Sequence, residues 1–127
     1  PVEAMDNYSF TFFSDIDSDV AIERVRYFVE GTELKRGLTE PSGNPMKYKP
    51  SHDEVISTAA RDVRSLEQGT AMFQYFDESG ILITDFNKVA EVRFVLSKII
   101  VNVNPTGGPN EFTLESSATM RNLKTNL

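Results

Sequence analysis

The chain has 127 residues, a length that suits one domain, and its 13 basic and 19 acidic residues leave a net charge of −6. That balance argues against nucleic acid as the main partner, because phosphate contacts need clustered Lys and Arg and the 13 basic residues form no run. Cysteine is absent, which removes disulfides, thiolate zinc sites and cysteine nucleophiles together, and no apolar run approaches the roughly 18 residues of a membrane span.

Pro1 to Tyr8 places Val2 and Met5 three apart, which fits the last turn or two of a helix or the link after it, since eight residues cannot hold a helix alone. A chain opening on Pro1 and not Met is expected to be a fragment or processed product. From Ser9 to Leu38, three runs rich in aromatic and β-branched residues are separated by an acidic tip and a glycine turn, which predicts an antiparallel meander. Val25, Tyr27 and Val29 fall on one face of its middle strand, with Arg24 and Arg26 on the other. Gly31 supplies the positive φ of the hairpin turn. Thr39 to Pro50 holds three prolines and a glycine and predicts an ordered connecting loop.

Ser51 to Leu66 stays ambiguous. Ser51 with Glu54 makes a capping-box pattern, and Val55, Ala59, Val63 and Leu66 recur at helical spacing, which favours a helix. The run Val55-Ile56-Ser57-Thr58 could equally supply a strand. Ala71 to Phe76 predicts a strand, ended by the Asp77-Glu78-Ser79-Gly80 turn, with a helical turn over Asp85 to Lys88. The last third predicts a long hairpin with arms Glu91 to Asn104 and Glu111 to about Arg121. In the first arm Val92, Phe94 and Leu96 hold one apolar phase and Ile99, Val101 and Val103 the other, which predicts a β-bulge near Ser97. The second arm alternates cleanly, with Phe112, Leu114, Ser116, Ala118 and Met120 on one face.

Asp15, Asp17 and Asp19 are the candidate metal ligands, because alternating acids in a loop converge oxygens on a hard cation such as calcium. The EF-hand form is excluded, since Val20 stands where its glycine belongs and Arg26 where its glutamate belongs. The competing reading is a solvated turn whose aspartates cap backbone amides. His52 is the only histidine, and in Ser51-His52-Asp53 adjacent residues cannot converge as triad members do. It is expected on the surface, in the first turn of a helix. No catalytic motif is present, so the chain is expected not to be an enzyme. Arg24, Arg26, Lys35 and Arg36 predict a solvated basic patch on neighbouring strands, and Phe12-Phe13, Phe73 and Tyr75-Phe76 predict core before they predict a ligand groove.

As an ordered set, Phe12 to Asp19, Glu23 to Tyr27, Gly31 to Arg36, Phe73 to Gly80, Val89 to Val92 and Met120 to Leu123 resemble the head domain of minor pilins and pseudopilins. The resemblance implies an α+β fold: one antiparallel β-sheet head domain over residues 1–127, with the N-terminal helix truncated. It implies a structural subunit of a type IV pilus, competence or type II secretion pseudopilus. Such a subunit would lie outside the cytoplasm, at the cell surface or in the periplasm, anchored in the membrane by the missing helix. Its partners would be other pilin-like subunits. The rival reading is a secreted calcium-dependent binding or adhesion module, with calcium as the one candidate cofactor.

Overall fold

The computed structural model describes residues 1–14, 22–103 and 110–120. Two antiparallel sheets account for nearly all of its regular structure. The first has the order β1(Val2–Met5), β2(Ser9–Ser14), β3(Glu23–Glu30), β4(Glu33–Thr39), β5(Val55–Ala60). The second has the order β6(Phe73–Phe76), β7(Phe94–Asn102), β8(Glu111–Thr119). Among the described residues helix is confined to α1(Pro50–Asp53) and a 3-10 turn at Val89–Glu91. The expected α+β class is therefore corrected to a β-rich fold, because the segments with mixed signals pair with neighbouring strands.

The meander forms as expected, with Phe10 opposite Tyr27, Phe12 opposite Val25 and Val29 opposite Leu34. Gly31 turns the β3–β4 hairpin at φ 64°. Pro1 to Tyr8 holds no helix: β1 pairs antiparallel with β2, placing Met5 opposite Phe10. Four residues cannot sustain a helix alone, whereas a neighbouring strand satisfies their backbone groups at once. Across the open stretch 55–63 the strand prevails. Lys49 and not Ser51 caps the short α1, and Glu54 ends it, so the capping-box reading fails. The chain then turns into β5, whose register sets Leu38 opposite Val55 and Gly37 opposite Ile56.

The bulge near Ser97 is also absent. β7 pairs without a register shift to β6 on one side and to β8 on the other. The core side of β7 is Val95, Ser97, Ile99 and Val101 in unbroken alternation, and Phe94 on the other face is 41% exposed. Val92 is buried but precedes the strand, so it does not belong to the phase that Phe94 and Leu96 define. The predicted face of the second arm holds, with Phe112, Leu114, Ser116 and Ala118 opposite those four β7 residues. The hairpin tip lies outside the described residues.

One core joins the sheets. Met5, Phe10 and Leu34 of the first meet Phe73, Tyr75 and Val95 of the second, with Met72 just before β6. Tyr75 is fully buried, and its hydroxyl donates to the Asp6 carbonyl at 2.8 Å, with the Ser9 carbonyl at 3.1 Å. Loss of solvent at this site pushes the Tyr75 phenol well above its ordinary range. The segment after β5 staples the sheets: Val63 donates to the Thr32 carbonyl, Arg64 to that of Ile100, and Asn102 to that of Asp62.

Candidate functional site

The candidate calcium ligands Asp15, Asp17 and Asp19 lie outside the described residues. Among the described residues, no group of three or more His, Asp or Glu is placed to hold a metal ion.

Ser42, Asp53 and His52 do come together, with the Ser42 hydroxyl donating to Asp53 Oδ2 at 2.7 Å and His52 Nδ1 2.5 Å from Asp53 Oδ1. The order is wrong for nucleophilic catalysis. A triad needs the imidazole between carboxylate and hydroxyl, so that it can take the hydroxyl proton. Here the carboxylate stands in the middle and ties α1 to the loop before it. The His52 hydrogen bond, followed by that of Ser42, holds the Asp53 carboxyl below its usual range. His52 itself is surface-exposed, as expected.

The basic patch is reorganised by register. Arg24, Arg26 and Lys35 share one face of the first sheet, and Arg36 points to the other. Arg24 makes a two-pronged pair with Glu3, at 3.1 Å and 2.6 Å. Arg26 forks onto both oxygens of Glu54 at 2.9 Å and 2.7 Å, and its guanidinium lies 3.9 Å from the Phe28 ring centroid. Lys35 pairs with Glu30 at 2.9 Å. The Glu54 carboxylate crosses Gly37, where a Cβ would meet Glu54 Cδ at 2.5 Å. Its hydrogen bonds from Arg26 hold Glu54 below the usual carboxylate range. Nearby, Tyr48 packs on Phe13 and donates to the Ile22 carbonyl at 2.6 Å. This face is consumed by intramolecular pairs.

Between the sheets an open cleft of about 470 Å³ is lined by Phe10, Phe12 and Tyr27 on one side and Val95, Ile99 and Ala118 on the other. Among its polar groups is the Ser97–Ser116 hydroxyl pair at 2.7 Å. Phe12 and Phe73 line the cleft, Phe13 turns to the opposite face, and Tyr75 is core.

The remaining feature is backbone. β1 lies beside the 3-10 turn, and β6 is covered by residues 81–83, which bond to Asp77 and Tyr75. The outer edges of β5 and β8 receive no backbone hydrogen bond among the described residues. Val55 and Ile56 of β5 are 69% and 51% exposed, and Phe112 and Leu114 of β8 are exposed to a similar degree. β5 carries no charge and no proline, the usual guards of a free edge. Sequence reasoning did not single this edge out, although the uncharged run Val55 to Ala60 was its signal. The chain matches no known family model, no curated protein and no solved structure.

Proposed function

We propose that this chain is a structural subunit that works by contact with other subunits and not by catalysis, in a pilin-like filament or secretion pseudopilus. The observation that carries this reading is the pair of exposed sheet edges, β5 and β8, which receive no backbone hydrogen bond among the described residues. A free edge is a template for another strand, and proteins that work as monomers blunt such edges. The Ser42–Asp53–His52 cluster, with its carboxylate in the middle, offers no activated nucleophile. The ordered resemblance to minor pilin head domains supplies the kind of assembly, the partners and a location outside the cytoplasm with membrane anchoring. Among the described residues no helix is long and apolar enough to cross a membrane.

A secreted binding module is the second reading, and the apolar cleft between the sheets is what favours it. Cross-linking the protein in its native cells separates the two. The subunit reading expects it in the membrane or filament fraction, cross-linked to other subunits. Recovery as a free monomer alone would overturn that reading in favour of the binding module.

A further inference from the structure

We propose that the cleft between the sheets receives an extended peptide strand from a partner subunit, paired to the β8 edge, with apolar side chains turned inward and an acidic one held by Arg36. This deepens the subunit reading above and rests on it, by naming the chemistry of the contact. Backbone parity fixes what β8 presents to the cleft. At the two ends of the β7–β8 pairing, Met120 donates to the Arg93 carbonyl and Val103 donates to that of Asn110. The pairing between them runs without a shift, so even-numbered residues of β8 turn their backbone groups to β7 and odd-numbered ones turn theirs away. Ser117 and Thr119 therefore direct N–H and C=O groups outward, and both line the cleft. Their side chains share the outer face of the sheet with Phe94 and Leu96, so it is their backbone that meets the cleft. No backbone hydrogen bond reaches these groups among the described residues.

The facing wall supplies the other half of the recognition. Five strands of the first sheet face three of the second. Tyr27 lines the cleft, Arg36 stands opposite Tyr27, and Ser57 opposite Arg36, all on one face. Ser57 is exposed, and so is Val55 in the next row of that face, so the second sheet leaves this side uncovered. Arg24, Arg26 and Lys35 on the opposite face each hold a glutamate. Arg36 makes no salt bridge among the described residues, and its two neighbours on its own face, Tyr27 and Leu34, both line the cleft.

These features define the chemistry of the occupant. An acyl chain or an aromatic ring fills an apolar cleft but leaves a row of backbone donors and acceptors unmatched, whereas a peptide strand meets both. Alternate side chains of that strand turn toward Phe12 and Tyr27, and the cation at Arg36 calls for a carboxylate among them.

The test uses a synthetic peptide, Thr-Val-Thr-Glu-Thr-Val-Thr, which sets valine, glutamate and valine on one face of a strand. Titrated into isotope-labelled protein, it is expected to bind saturably and to shift the amide signals of Ser117 and Thr119. Ser117→Pro removes an outward N–H that β7 does not use, and is expected to weaken binding about tenfold or more with the melting temperature nearly unchanged. Arg36→Glu is expected to weaken it about tenfold, and the same peptide with lysine in place of glutamate to regain the loss. No saturable binding up to about 1 mM peptide overturns the proposal. So does binding that neither substitution changes, which would be apolar contact without pairing or charge. Binding seen only after residues 121–127 are removed overturns it in favour of the chain's own C-terminal residues as the occupant. The cellular cross-linking above judges the subunit reading separately: cross-links to other subunits without peptide binding discard only this strand position.

Discussion

Gly37 is the residue on which the paired face turns. It has no Cβ, so the Glu54 carboxylate can cross β4 and meet the Arg26 fork. Gly37→Ala is expected to destabilise the fold by about 1–3 kcal/mol, because neither the backbone nor the forked carboxylate can yield cheaply. Urea unfolding measures it. Glu54→Ala in the same chain should recover part of that loss, since it removes the group being struck, and strictly additive losses would refute the collision. The pair also predicts a pH dependence. The folded-state pKa of Glu54 lies below its unfolded value, so its contribution is present above about pH 4.3 and lost as pH falls through the depressed folded value. Glu54→Gln should flatten the stability profile in that acid window. An unchanged acid limb would assign the acid sensitivity to other carboxylates.

β7 shows what pairing adds to pattern at the scale of an element. Read alone, Phe94 and Leu96 on one phase and Ile99 and Val101 on the other require an inserted residue. In the sheet Val95 holds the core side at 3% exposure, and Ser97 takes the next inward position, where its hydroxyl meets that of Ser116. A serine pair on the inward face interrupts the apolar run without interrupting the pleat. Val95→Ala is therefore expected to cost about 2 kcal/mol, and Phe94→Ala less than about 1 kcal/mol despite the larger side chain removed. Denaturant midpoints of the two variants check the order, and a reversed order would restore the parity switch.

Two sheets joined at one core should unfold as one molecule. Tyr75 anchors the second sheet to the β1–β2 turn, and residues 62–64 bond to β7 and to the β3–β4 turn. Far-ultraviolet and near-ultraviolet circular dichroism are expected to report a single coincident thermal transition. Two separated transitions would divide the chain into independently stable sheets. Tyr75→Phe should lower that single transition, at a cost of about 1–2 kcal/mol, because the Asp6 carbonyl loses its buried donor.

The meander from Ser9 to Leu38 was legible in the residues themselves, because alternating apolar side chains and a glycine at φ 64° are local properties of the chain. The alternation of β8, with Phe112, Leu114, Ser116 and Ala118 on one face, was legible for the same reason. Local pattern could not choose between helix and strand over Val55 to Ala60, where both periods fit and the unpaired outer edge of β4 decided. Nor could it show that Arg24 and Arg26 meet Glu3 and Glu54, since these partners are distant in sequence and meet only through register. The edges of β5 and β8, unpaired among the described residues, belong to the same class. An edge is defined by the neighbour it lacks, and only the tertiary structure decides which strands are left without one.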